Sequence, residues 1–207
     1  MRGQSIGNTY GAASHLFLIE NIRSKFMGVI KHSDQRVGVL IDVQNLYHSA
    51  KNLYNARVNF KELLESATAG RRLVRAFVYV VKSEIPAGEA SFFEALEKSG
   101  FELKMKDLQV FPGGAKKADW DVGMAVDAIR LSPSLDAIVL ATGDGDFIPL
   151  VEYLKNIGKQ VEVIAFGKSS SQKLKEVADE FIDIGEHPDQ FLLNIRKRAK
   201  RYPSQQQ

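Results

Sequence analysis

The chain has 207 residues, of which 44% are hydrophobic and 26% are charged, and its formal net charge is +3. This length suits one globular domain with a continuous core. The absence of cysteine excludes a disulfide scaffold, a thiol nucleophile and a cysteine-ligated metal site. No apolar run approaches the ~20 residues of a membrane span, and no signal peptide is apparent, so the sequence predicts a cytoplasmic protein without a membrane partner.

The positive charge is concentrated at the two ends of the chain. Residues 1–36 carry a net charge of +3 and residues 37–195 a net charge of −5. The last twelve residues hold five basic groups and no acid, and three of these groups are Arg196, Lys197 and Arg198. Such a run either neutralises the phosphates of a nucleic acid or forms a solvated helix end. We interpret residues 1–36 as a flexible N-terminal extension and residues 186–207 as a basic C-terminal tail.

Between the two ends, predicted strands alternate with predicted helices. Short apolar runs rich in β-branched residues predict the strands, and helical spacing or start and stop signals predict the helices. In chain order the elements are a strand at 37–42, a helix at 59–68, a strand at 73–81, a helix at 86–100, a strand at 101–111, a helix at 119–131, a strand at 137–142, a helix at 147–157, a strand at 160–167, a helix at 169–181 and a strand at 181–185.

This alternation predicts a single α/β domain over residues 37–185. It has a mostly parallel, Rossmann-like sheet of five to six strands, with helices on both faces. The alternating 101–111 strand is expected near an edge of the sheet. In the 119–131 helix, Val122, Ala125, Val126 and Ile129 are expected to face the core.

Acidic residues follow two of the predicted strands. Asp42 ends the first strand, and Asp144 and Asp146 follow the strand at 137–142, so all three belong to the edge where ligands of parallel sheets bind. Asp119 and Asp121 begin the next helix and can also face that edge. A single aspartate at such a position is often only a helix cap or a turn residue. Several converging carboxylates repel one another, and a divalent cation such as Mg²⁺ or Mn²⁺ resolves that repulsion.

Two further polar residues fit the same edge. Asn45 lies three residues after Asp42 and either orients a carboxylate, a water or a phosphate oxygen, or only begins a helix. Asp127 lies six residues after Asp121, on a different face of the helix, where a structural hydrogen bond or an outer-shell role fits.

Candidate phosphate contacts lie in two loops. Lys116 and Lys117 follow a glycine pair and either reach a phosphate or belong to an ordinary exposed loop. Ser169, at the predicted start of the 169–181 helix, either binds a phosphate or takes part in capping.

Four segments together resemble a known family. They are IDVQNL (41–46), KADWDVGMAVDAI (117–129), ATGDGDFIPLVEYLKNIGKQVEVIAFG (141–167) and SQKLKEVADEFIDI (171–184). In order and spacing they resemble the NYN domain, and more specifically its LabA-like branch within the PIN-like nuclease superfamily. The resemblance covers about residues 37–185.

The resemblance implies metal-dependent cleavage of RNA, mainly single-stranded, by a cluster of acids that hold Mg²⁺ or Mn²⁺. By matching motif, the catalytic and metal-binding residues are Asp42, Asp121, Asp144 and Asp146, with Asn45 in a supporting role. The family motif has one acid between the Asp42 element and the Asp144–Asp146 pair, and Asp119 and Asp121 both lie near that position. The mechanism implied is phosphodiester hydrolysis, with Lys116, Lys117 and the basic tail holding the RNA backbone.

Two other functions of parallel α/β domains require acids that this sequence lacks. A haloacid-dehalogenase-like phosphatase requires an acid where Gln44 stands, and a receiver domain requires an acid pair where Val43 follows Asp42. The alternative that stays open is a non-catalytic RNA- or nucleotide-binding regulatory module. The sequence also leaves open whether the chain forms a homodimer.

Overall fold

A computed structural model describes residues 29–81, 89–107, 109–110, 116–117 and 119–194. Its helices are α1 (Val43–Tyr54), α2 (Phe60–Thr68), α3 (Glu89–Lys98), α4 (Asp121–Leu131), α5 (Ile148–Asn156), α6 (Gln172–Val177) and α7 (Pro188–Phe191). Its strands are β1 (Arg36–Asp42), β2 (Arg57–Val58), β3 (Arg72–Val81), β4 (Glu102–Lys106), β5 (Gln109–Val110), β6 (Lys116–Lys117), β7 (Ala137–Ala141), β8 (Gln160–Ala165), β9 (Glu180–Asp183) and β10 (Leu192–Leu193).

Six strands form one parallel sheet in the order β4-β3-β1-β7-β8-β9. The predicted α/β fold is therefore confirmed. The central strand β7 is buried at every position, as its uninterrupted apolar sequence requires when both faces of a sheet are covered. The alternating strand β4 lies at one edge of the sheet, as its sequence predicted.

Local hydrogen bonds set the starts of two helices. The Asp42 carboxylate caps α1 by accepting from the backbone N–H of Asn45. This helix is not among the predicted elements, although a helix start was one of the two roles expected of Asn45. The Asn59 side chain caps α2 in the same way, through the N–H of Glu62. Asp42 is the last residue of β1 and Asn59 directly follows β2, so the chain enters a helix as soon as each strand ends.

The predicted inward face of α4 is wrong. Val122, Val126 and Ile129 are 75%, 46% and 41% exposed, whereas Met124 and Ala128 on the opposite side are buried. Ala125 alone of the predicted set is partly buried against the core. The helix carries apolar residues on more than one of its own faces, so the 3.6-residue spacing is compatible with two orientations against the sheet. Packing of Met124 and a hydrogen bond between Asp127 and the sheet decide which one forms.

The predicted helix over residues 169–181 is shorter than expected. It begins only after Ser171, whose hydroxyl accepts from the N–H of Leu174, and it ends at Val177. Asp179 then accepts a hydrogen bond from the N–H of Val161 at 2.8 Å, which joins the chain to β8 directly before β9 begins. The strand predicted at 181–185 is present as β9.

Several predicted segments lie outside the described residues, and one observed strand pair was not predicted. Most of the proposed extension over 1–36, the start of the helix at 86–100, and Arg196, Lys197 and Arg198 lie outside them. The antiparallel pair of β2 and β10 was not predicted, because two residues are too few to show a pattern. None of the helices in the described part of the chain has the length and apolar character that crossing a membrane requires.

Candidate metal centre

Three acids meet at the carboxyl edge of the sheet. Asp121 is the first residue of α4, and Asp144 and Asp146 belong to the loop that follows β7. One carboxylate oxygen from each lies within 4.8 Å of those from the other two. Asp121 and Asp144 are half-buried and Asp146 is exposed. Two separate elements thus build an oxygen-lined site, which we call the acidic trio.

Asp42 lies beside the acidic trio, at the end of β1. Its carboxylate accepts hydrogen bonds from the N–H of Asn45 at 3.1 Å and from the hydroxyl of Thr142 at 3.4 Å. Burial raises the pKa of Asp42 to about 6, although both hydrogen bonds oppose that shift. The charges of Asp121 and Asp144 raise this pKa further, so the fourth predicted acid is electrostatically coupled to the acidic trio.

Crowding of negative charge also affects Asp121. Burial raises the pKa of Asp121 first, and repulsion from Asp144, Asp119 and Asp146 adds to it, whereas Lys106 lowers it. The donors gathered here are carboxylate oxygens, the ligands that hard divalent cations prefer. The acidic trio could therefore bind a divalent metal ion, whose charge would relieve this repulsion.

The loop that carries Asp144 is held from both sides. The side-chain oxygen of Asn45 accepts a hydrogen bond from the N–H of Gly143 at 2.9 Å, and the carbonyl of Gly143 accepts one from the N–H of Ser171 at 2.9 Å. Within the loop, the Asp144 carboxylate accepts from the N–H of Asp146 at 3.0 Å. Asn45 therefore positions the loop, since its amide oxygen binds the backbone.

Two of the other predicted acids lie outside the acidic trio. Asp127 accepts a hydrogen bond from the hydroxyl of buried Tyr79 at 3.1 Å and lies 3.5 Å from the ammonium of Lys104, so its carboxylate joins α4 to β3 and β4. Asp119 precedes α4, and its backbone carbonyl accepts a hydrogen bond from Lys106 at 2.9 Å.

The residues predicted to contact phosphate are Ser169, Lys116 and Lys117, and the structure places only part of each prediction. Ser169 is not at a helix start: its hydroxyl donates to the Ser49 hydroxyl at 2.9 Å, and the cap of α6 is Ser171. Lys116 and Lys117 form the two-residue strand β6, paired with β5, but their side chains lie outside the described residues.

Two aromatic residues near the site, Phe147 and the partly buried Trp120, pack against the core. Phe147 is buried. The Trp120 indole N–H donates to the carbonyl of Val80 at 3.0 Å, and its ring packs 5.4 Å from that of Tyr79. Trp120 therefore anchors the start of α4 to β3.

Sequence reasoning missed two residues at this edge. Thr142 connects Asp42 to the loop through its hydroxyl, which also accepts from the N–H of Asp144 at 3.3 Å. Lys106 ends β4 and approaches Asp121. Both residues lie at the carboxyl end of a parallel strand, so strand position is the sequence signal that could have identified them.

A family model and one curated relative at 30% identity match most of this chain. The NYN domain family model matches residues 36–185. An uncharacterized protein of Methanocaldococcus jannaschii is 30% identical over 173 residues, which is 83% of this chain and 63% of that protein. This chain therefore spans less than two thirds of that relative's length.

Two further similarities extend the comparison. The low amplitude and bright protein LabA of Synechococcus elongatus is 23% identical over 166 residues, covering 73% of this chain and 84% of that protein. The crystal structure of a protein of unknown function from Vibrio parahaemolyticus matches with a TM-score of 0.71 and 33% identity. That match covers 80% of this chain and 100% of the Vibrio chain.

Proposed function

The chain belongs to the NYN domain family, in the LabA-like branch of the PIN-like nucleases, and on this premise we propose that it is a metal-dependent ribonuclease. The proposed reaction is hydrolysis of phosphodiester bonds in RNA, mainly single-stranded. The observation that carries the proposal is the convergence of Asp121, Asp144 and Asp146 from two separate elements at the ligand-binding edge of the sheet.

The donor set fits the metal that this chemistry needs. Asp121, Asp144 and Asp146 would hold Mg²⁺ or Mn²⁺, with Asp42 beside them. When bound, such an ion supplies positive charge that activates water and stabilises the charge gathering on the phosphate.

The side chains around the acidic trio have different proposed roles. Asn45 and Ser171 hold the Gly143–Asp144 backbone, so the carboxylates are in place before substrate binds. Burial and the charges of Asp121 and Asp144 raise the pKa of Asp42 in the metal-free protein, and a bound cation would lower it, so Asp42 would serve as a further carboxylate beside the ion. Lys116, Lys117, Arg196, Lys197 and Arg198 would attract the RNA backbone.

The test is cleavage of a labelled single-stranded RNA by the purified protein in Mn²⁺, Mg²⁺ or EDTA. The variants are Asp144→Asn and the control Glu152→Gln, which removes an exposed acid of α5 outside the acidic trio. We expect cleavage in a metal but not in EDTA, loss of cleavage in Asp144→Asn, and parental rates in Glu152→Gln. Asparagine can still accept the hydrogen bond from the N–H of Asp146, so the loop is expected to keep its shape.

Two outcomes would contradict the proposal. Cleavage that persists unchanged in Asp144→Asn would show that another site or a contaminating nuclease is responsible. RNA binding without cleavage in any metal would favour the non-catalytic regulatory module, with the acids as a cation or ligand site.

A further inference from the structure

Lys106 is a basic residue at the same edge as the acidic trio. It is the last residue of β4 and pairs with Val81, the last residue of β3. Because the strands are parallel, this end of the sheet also carries Asp42 and the loop after β7. β4 lies at the border of the sheet, so no described strand of that sheet covers the approach to Lys106.

The ammonium of Lys106 is held in place by two neighbouring groups. It donates to the carbonyl of Asp119 at 2.9 Å and lies 5.3 Å from the centre of the Trp120 ring. The Trp120 ring is itself fixed by the hydrogen bond from its indole N–H to the carbonyl of Val80. A partly buried, positioned lysine loses less conformational entropy on binding a ligand than a free surface lysine does.

Lys106 differs from the two neighbouring basic residues on the same face because those two are paired with acids. Lys104, two residues earlier, lies 3.5 Å from the carboxylate of Asp127, and Arg75 forms a salt bridge with Glu102. Among the described residues, the hydrogen-bond acceptor of Lys106 is the neutral carbonyl of Asp119, and no carboxylate there forms an ion pair with its ammonium. Lys106 also lowers the pKa of Asp121, so its field reaches the acidic trio.

A substrate phosphate at the acidic trio would be repelled by the carboxylates and attracted by a nearby fixed cation. We propose that Lys106 is a phosphate-binding residue of this site and that it contacts the RNA backbone next to the bond that is cleaved. This inference rests on the proposed function and adds a substrate contact that lies in neither the basic loop nor the basic tail.

The test uses Lys106→Gln, which keeps a hydrogen-bond donor but removes the charge, together with Lys106→Met and Lys106→Arg. Lys104→Met is the matched control on the same strand, since that ammonium is already paired with Asp127. The dissociation constant of a labelled single-stranded RNA is measured in EDTA over a series of salt concentrations, and KM and kcat are measured in Mn²⁺.

Removal of one cation that neutralises a phosphate is expected to reduce the slope of log K against log salt by about 0.7 in both neutral variants. RNA affinity at low salt is expected to fall several-fold, and KM to rise more than kcat falls. Lys106→Arg should keep the parental slope, and Lys104→Met should match the parent. A purely structural role for Lys106 would change thermal stability without changing the salt slope.

The outcomes separate this inference from the proposed function. If the parent binds and cleaves RNA but Lys106→Gln and Lys106→Met keep its salt slope and KM, the role of Lys106 is refuted and the ribonuclease proposal stands. If the parent neither binds nor cleaves RNA, the proposed function fails, and this inference fails with it.

Discussion

Asn45 and Gly143, which are 98 positions apart in the chain, are joined by a hydrogen bond of 2.9 Å from the Gly143 N–H to the Asn45 side-chain oxygen. The backbone N–H of the same asparagine donates to the Asp42 carboxylate. One residue therefore ties the end of β1 to the loop that carries Asp144. The relative placement of Asp42 and the acidic trio depends on this connection.

Gly143→Ala is expected to disturb that connection. A Cβ at this position would lie 2.5 Å from the Ser170 hydroxyl oxygen and 3.1 Å from its Cα. The hydroxyl would have to turn away from the Phe166 carbonyl to which it donates, and the backbone would have to shift by a few tenths of an ångström. Overpacking of this kind lowers the free energy of unfolding by about 1–3 kcal/mol. We expect that decrease in urea denaturation, together with a large decrease in cleavage rate, because Asp144 follows directly in the chain.

The control for this prediction is the double variant Gly143→Ala/Ser170→Gly. It removes the serine hydroxyl and Cβ and leaves only the backbone contact. Partial recovery of stability and cleavage is expected. A Gly143→Ala protein with parental stability and cleavage would show that the close packing does not position the loop.

Asp42 makes the stability of the metal-free protein depend on pH. Because burial raises its pKa to about 6, the native state binds more protons than the unfolded state between about pH 4 and pH 6. The free energy of unfolding should therefore decrease as the pH rises through that window, by about 3 kcal/mol from this group. At pH values above about 6, the contribution of Asp42 to the free energy of unfolding no longer changes with pH.

The measurement is urea denaturation of the parent and of Asp42→Asn at several pH values from 4 to 7, all in EDTA. The asparagine does not titrate, so the stability difference between the two proteins should change across the window, with the parent losing more as the pH rises. A stability difference that is the same at pH 4 and pH 7 would contradict a raised pKa at Asp42.

A buried ion pair joins the start of β3 to β8, away from the acidic trio. The side chains of Arg71 and Glu162 are both 0% exposed, and the guanidinium also donates to the carbonyls of Ala67 and Thr68 at 2.7 and 3.0 Å. Arg71→Met leaves a buried carboxylate without its counter-ion, which is expected to lower the free energy of unfolding by about 3–5 kcal/mol.

The double variant Arg71→Met/Glu162→Leu is the informative comparison for this pair. Well-packed apolar replacements of a buried ion pair are often close to neutral, so most of the stability should return. Chemical denaturation of the parent, the single variant and the double variant measures this. A double variant as unstable as Arg71→Met would show that packing, rather than the lone charge, causes the destabilisation.

Deletion of residues 196–207 tests the basic tail. The deletion removes five basic groups and is expected to weaken RNA binding, with a salt slope smaller by about 0.7 for each phosphate that the tail neutralises. The maximal cleavage rate at saturating RNA should change much less than KM. The control deletion of residues 202–207 removes no charged residue and should bind RNA like the parent. Equal affinity of both deletions at every salt concentration would exclude the tail from RNA binding.

The sequence by itself determined the fold class and the candidate acids. Continuous apolar runs such as the one at β7 specify strands buried on both faces, and the alternation with helices specifies a parallel sheet. Because parallel strands end at one edge, the positions of Asp42 and Asp144 at strand ends already place them together. These are local patterns with a fixed geometric consequence, so no long-range information was needed.

Only the tertiary structure decided which face of α4 is buried and which polar residues support the site. The apolar spacing of α4 fits more than one orientation, and contacts with Tyr79 and the sheet select the one that exposes Val122. The contacts of Asn45 with Gly143 and of Lys106 with Asp119 join segments from different parts of the chain. Such contacts form only when the strands have packed, and no local pattern in the sequence encodes them.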